Sequence, residues 1–166
     1  MATQHPSRKA PQRKAEAAPA APRGCTNYKL RQLTRSVSRE YDAVLAATGL
    51  KTSQYSLLSA IDKFGPLRPA DLAGHMRLDA STLTRNVQPL VAQGLVLVGA
   101  GVDQRSRLVS LTDAGRARRA EAQSAWKTAQ KALNARLGTE RVLQLHALID
   151  DCLALLEGAD EEALHG

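Results

Sequence analysis

Six side chains within one short stretch, Ser81, Thr82, Thr84, Arg85, Asn86 and Gln88, carry hydroxyl, guanidinium and amide groups with no carboxylate among them. Such groups give and take hydrogen bonds but hold no acid, base or activated nucleophile of their own. Their chemistry is the recognition of base edges and phosphates rather than bond-making. Arg105 and Arg107 follow in a Gly-rich polar stretch that also holds Asp103, Gln104 and Ser106. Elsewhere the reactive inventory is thin. Cys25 and Cys152 have no histidine at useful spacing, His75, His146 and His165 form no metal-ligand pattern, and the adjacent Asp150 and Asp151 are the nearest approach to paired carboxylates. No Gly-rich phosphate loop is present, so an enzyme, a resident metal and a bound cofactor are all disfavoured.

The elements that must position these groups follow from hydropathy and punctuation. Leu30, Leu33, Val37, Tyr41, Val44 and Leu45 recur at three- and four-residue steps, which predicts an amphipathic helix from Asn27 to about Ala47, ended by Gly49. Thr52 or Ser53 is placed to cap a second helix, which stops at Phe64-Gly65-Pro66. A short third helix spans Pro69 to Met76, and Asp79 caps a fourth from Ala80 to Gln93 with Leu83, Val87, Leu90 and Val91 inward. Pro89 should bend that fourth helix in its last turn. Leu95–Val98 and Leu108–Leu111, either side of the Gly-rich tip, read as a β-hairpin. Thr112 or Asp113 caps a long helix to about Leu137. Gly138 and Thr139 break it, and a last helix from Glu140 to Glu157 sets Val142, Leu145, Ile149, Cys152 and Leu156 near a heptad seam, with Cys152 read as a small core residue.

Composition agrees with a single, mainly helical unit. Of 166 residues, 43% are hydrophobic but only 3% aromatic, which favours Leu/Val/Ala helix packing over a sheet sandwich. The net charge of +7 is unevenly placed. Met1–Gly24 holds five basic residues and one acid, and reads as a disordered basic tail; Arg77–Arg119 holds seven arginines against three aspartates; Leu137–Gly166 holds one arginine against seven acids. One basic surface presented to a polyanion fits this polarity, as does an ordinary solvated surface. Two cysteines make no disulfide framework, no apolar run reaches membrane-spanning length, and the tail lacks the apolar stretch of an export signal, so a cytoplasmic protein without a membrane partner is expected.

A short helix, a second of about 14 residues and a hairpin outline a winged helix-turn-helix at about 50–112. The first turns of the second helix then face the major groove of duplex DNA, and Arg105 and Arg107 reach an adjacent minor groove. For Ser81 and Thr82 the alternative is simple capping. For the wing arginines it is a solvated turn, one of them paired with Asp103. Charge excess, polar helix face and basic hairpin tip occupy one interval, and their coincidence favours DNA.

These same residues carry a family resemblance. Leu72-Ala73, Leu78-Asp79-Ala80-Ser81-Thr82-Leu83-Thr84-Arg85-Asn86, Pro89-Leu90, Gly94-Leu95-Val96, Asp103-Gln104-Arg105-Ser106-Arg107 and Leu111-Thr112-Asp113-Ala114-Gly115 resemble the multiple-antibiotic-resistance regulator (MarR) family over about Cys25–Glu157. The resemblance implies one domain over 25–166, mainly α with a small β-hairpin wing. Dimerisation helices lie at about 25–47 and 113–157. It implies a homodimeric regulator, commonly a repressor, on a pseudo-palindromic duplex. Ser81, Thr82 and Arg85 with their neighbours enter the major groove, Arg105 the minor groove, and Asp103 braces the wing arginine. Leu30, Leu33, Val142, Leu145, Ile149 and Leu156 are the interface candidates. Family members often release DNA when a small phenolic or aromatic acid binds, and Arg35, Arg39, Tyr41 and Tyr55 lie on the helices concerned. A branch of the family senses oxidants through a cysteine early in the first helix. Cys25 lies near that position, although matching the branch's tyrosines to Tyr41 and Tyr55 puts its sensing cysteine at Asn27. A winged-helix module for protein association, without DNA, is the remaining alternative.

Overall fold

The computed structural model describes residues 21, 23–100 and 107–164, with side chains described to Glu157. Helix α1 (Thr26–Leu45) runs into a single 3-10 turn (Ala46–Thr48), followed by α2 (Thr52–Phe64), α3 (Pro69–His75) and α4 (Ala80–Ala92). Strands β1 (Val96–Ala100) and β2 (Arg107–Leu111) then pair antiparallel, and α5 (Asp113–Leu137) and α6 (Thr139–Leu164) complete the chain. The predicted tail falls mostly outside the described residues, as does the hairpin tip with Asp103 and Arg105.

The core forms where the end of α1 and the apolar faces of α2, α3 and α4 meet the hairpin and α5. Leu58, Leu72, Leu90, Leu45 and Val96 are fully buried at its centre. Val96 pairs with Leu111 and Val98 with Val109, so the strand ends nearest α4 turn one face inward while Leu97 and Val98 stay exposed. A third strand segment contributes a single bridge: Leu67 exchanges both backbone hydrogen bonds with Val109 (2.8 and 3.2 Å). That pairing links residues far apart in sequence, and no local pattern announces it. Tyr55 stacks on Trp126 at 5.9 Å and so fastens α2 to α5.

Several sequence expectations change at the helix ends. Neither Thr52 nor Ser53 caps α2. Instead Asp42 reaches across from α1, and one carboxylate oxygen accepts from both the Thr52 amide (2.6 Å) and its hydroxyl (2.7 Å). The Lys51 amide donates to Gln54 at 2.9 Å, closing the turn from the other side. An acceptor brought by the tertiary fold thus replaces a local one. Asp42→Ala is expected to lower unfolding stability by about 1–2 kcal/mol, read as a shifted denaturant midpoint with unchanged slope. Helix α4 runs past Pro89 to Ala92, close to the expected end at Gln93, and the Gln93 amide donates to the Pro89 carbonyl at 3.1 Å. Val91 is 40% exposed rather than inward, because it lines an open concavity between α4 and the hairpin.

Cys152 is exposed and is not a core residue of the subunit. The reason lies in α6, which packs chiefly on α5 and offers its own chain one edge only. Val142 on that edge is 7% exposed, while Leu148, Leu155 and Leu156 are uncovered. Among the described residues, no helix is long and apolar enough to cross a membrane.

Candidate nucleic-acid interface

Helix α4 presents its polar side outward because its apolar side is committed to the core. Leu83, Val87 and Leu90 are buried, and Ser81, Thr84, Arg85 and Gln88 on the other side are exposed. Asp79 organises the first turn. Its carboxylate accepts from the Thr82 amide (2.7 Å), from Ser81 Oγ (2.6 Å) and from Thr82 Oγ1 (2.7 Å). Those hydroxyls, Ser81 first, hold the carboxyl well below the usual carboxylate range. A depressed acid contributes its stabilisation in full above the ordinary carboxylate pKa, and loses it only as pH falls towards the lowered value. The first turn is therefore constant across neutral pH.

Arg85 lies one turn along. Its Nη2 donates to Thr82 Oγ1 (3.2 Å) and its Nε to the Ser81 carbonyl (3.4 Å), so the guanidinium folds back along the helix edge with further N–H groups open. Thr84 Oγ1 donates to the Ala80 carbonyl at 2.8 Å. Grooves flank the helix on both sides. Arg85, Asn86 and Pro89 face Lys51, Ser53 and Gln54 at the amino end of α2 across the first. The second, a concavity of about 440 Å³, runs between α4 and the hairpin and is lined by Thr84, Gln88, Val91, Val98 and Arg107.

The structure thus brings Ser81, Thr82 and Arg85 into one hydrogen-bonded cluster, puts Thr84 and Gln88 with Arg107 on one flank, and Asn86 on the other. Asp103 and Arg105 lie outside the described residues. Sequence reading missed Lys51, Ser53 and Gln54, which approach α4 only through the packing of α2 against it. The polar run Lys51-Thr52-Ser53-Gln54 was visible, but its distance in sequence from α4 hid the partnership.

The four residues read as effector ligands do not converge. Tyr41 and Tyr55 are buried in the core, where burial pushes the Tyr41 phenol up and its hydroxyl donates to Gln130. Arg35 and Arg39 line an open groove along α1 with Gln32, Ser36 and Asp42. Cys25 is exposed at the N-cap of α1, with no side-chain hydrogen bond to the helix amides. Of the interface candidates, Leu30, Leu33, Ile149 and Leu156 are exposed, Leu145 is half-buried, and Val142 is buried by its own subunit.

Comparisons with known proteins agree with this arrangement. A model of the MarR family matches residues 48–106. The helix-turn-helix-type transcriptional regulator YwoH of Bacillus subtilis is 29% identical over 85 residues, which make up 51% of this chain and 62% of that protein. The M. tuberculosis transcriptional regulator MosR, solved in complex with DNA, is 30% identical over 78% of this chain and 98% of that one, with a TM-score of 0.64. A probable transcriptional regulator from Pseudomonas aeruginosa is 26% identical over 76% of this chain and 96% of its own, with a TM-score of 0.70. Together with the α3–α4 pair, the hairpin and the flanking helices, these matches make the chain a member of the MarR family of DNA-binding winged helix-turn-helix transcription regulators.

Proposed function

We propose that the protein is a homodimeric regulator that reads a pseudo-palindromic duplex, one α4 to each major groove. The observation that carries this is the exposed polar edge of α4, with Ser81, Arg85 and Gln88 outward, set between two grooves with a cation on each, Lys51 on one side and Arg107 on the other. A helix of that width and polarity matches the major groove, and cations to either side match the phosphate walls. On this reading Thr82, Thr84 and Asn86 support the contact. Arg107, and Arg105 braced by Asp103, reach the adjacent minor groove.

Dimerisation rests on α1 and α6, whose Leu30, Leu33, Ile149 and Leu156 are exposed among the described residues. A two-fold axis through such a pair would set the recognition helices about one helical turn of DNA apart. Repression, relieved by a small aromatic acid, is the regulatory mode that the family resemblance favours.

The test is binding of Arg85→Ala to a duplex selected from a random pool by the wild type, and to an unselected duplex. Affinity for the selected duplex should fall about 10- to 100-fold, with little change on the unselected one. Equal loss on both would remove Arg85 from base readout. If wild-type protein binds no duplex even at low salt, where phosphate contacts are strongest, the fold is serving protein association instead.

A further inference from the structure

The hydroxyls of α4 are conspicuous for where their protons point. Ser81 and Thr82 both stand against the Asp79 carboxylate, at 2.6 and 2.7 Å. An ionised carboxylate only accepts, so each hydroxyl must be the donor and its one proton is spent inward. Thr84 spends its proton in the same way, on the Ala80 carbonyl at 2.8 Å. Outward, all three oxygens have only lone pairs to offer. Thr82 Oγ1 already receives Arg85 Nη2, which leaves Ser81 Oγ as the uncommitted acceptor nearest the helix start. The Asp79 charge also offsets the positive end of the α4 dipole, so this turn is poorly suited to a phosphate.

We propose that Ser81 is a specificity-determining residue that accepts a hydrogen bond from an exocyclic amino group, the N6 of adenine or the N4 of cytosine, and that Asp79 is the positioning residue that fixes this polarity. An acceptor discriminates against the carbonyl that guanine O6 or thymine O4 places at the same point of the groove. A serine whose hydroxyl could turn would pair with either, accepting from the amino group or donating to the carbonyl. The donors of α4 are carried by other side chains, Arg85, Asn86 and Gln88, so the helix divides acceptor and donor work between its first turn and the next ones. This inference rests on the proposed duplex reading and names the base chemistry at one position of it.

The experiment uses the full chain and the duplex it selects from a random pool. Each adenine is replaced in turn by purine and each cytosine by 2-pyrimidinone, which removes the amino group alone. In parallel, 7-deazapurines remove the N7 acceptors. Wild-type affinity should fall about 3- to 10-fold at one amino deletion per half-site. Ser81→Ala should lose a similar factor on the intact duplex, and become indifferent to that deletion while keeping every N7 sensitivity. Asp79→Gly keeps a tolerable N-cap but removes the oxygen that takes the Ser81 proton. It should let that hydroxyl turn, weaken the amino sensitivity and create an N7 sensitivity beside it. If Ser81→Ala abolishes an N7 sensitivity, or changes nothing while base selection persists, the assigned polarity is wrong and the regulator reading stands. If the wild type selects no duplex, the regulator reading falls and this inference falls with it.

Discussion

Gly115→Ala is expected to lower stability by about 3 kcal/mol or more, a drop of roughly 6–12 °C in melting temperature for a chain of this size. A Cβ at Gly115 would lie 2.0 Å from the Leu95 carbonyl oxygen and 2.9 Å from its carbon. Both are backbone atoms, so no rotamer change relieves the clash. The crossing is also tied down on either side. The Leu95 carbonyl accepts from the Thr112 amide at 3.1 Å, the Leu95 amide donates to Leu90 at 2.9 Å, and Thr112 Oγ1 donates to the Gly94 carbonyl at 2.7 Å. To admit the methyl group, α5 must lift off the strand start, breaking the Thr112 contacts and loosening the core beside Val96. The control is Gly74→Ala, where a Cβ meets nothing within 4 Å. A gain of up to about 1 kcal/mol is expected there, because alanine is the better helix former. Thermal unfolding followed by circular dichroism separates the two. A Gly115→Ala melting temperature within 2 °C of wild type would be incompatible with the close approach.

Leu30→Glu combined with Leu156→Glu is expected to leave a folded monomer that has lost about 10²- to 10⁴-fold in affinity for a two-half-site duplex. Both leucines are exposed in the subunit, at 52% and 66%, so a charge there costs the isolated fold little. In a two-fold interface each substitution occurs twice and buries a carboxylate against apolar surface. The affinity loss reflects geometry: once one half-site is bound, the second is met at high effective concentration only while the subunits remain joined. Sedimentation at micromolar concentration reads the first effect and titration of a duplex with one or two half-sites the second. A double variant that stays dimeric would move the interface away from α1 and the outer face of α6. A monomer that keeps full affinity would break the link between assembly and DNA.

Much of this architecture was legible in advance, and for identifiable reasons. The faces of α1, α2 and α4 and the breaks at Gly49, Gly94 and Gly138 are local matters of periodicity and backbone freedom, and all three glycines do take positive φ. The hairpin followed from two apolar segments around a polar tip. The Leu111–Gly115 motif was recognised by resemblance. Its physical meaning, a helix start that must touch the backbone of Leu95, emerged only from the packing. Val91 and Cys152 show the opposite failure. Each lies on an apolar stripe, but a stripe shows only that a face prefers cover, and not which part of it the same chain covers.

At the site, the sequence by itself determined the inventory: which side chains lie on the outward face of α4, that Asp79 caps it, and that arginines follow in the wing. These depend on a period of 3.6 residues and on side-chain chemistry, both of which are local. Only the tertiary structure decided that Asp42 caps α2, that Lys51 and Gln54 flank Arg85, that Tyr41 and Tyr55 are core rather than cleft, and that Val142 is spent within the subunit. Each of these depends on two segments distant in sequence arriving at one point, which is decided by the joint packing of all the helices on one core.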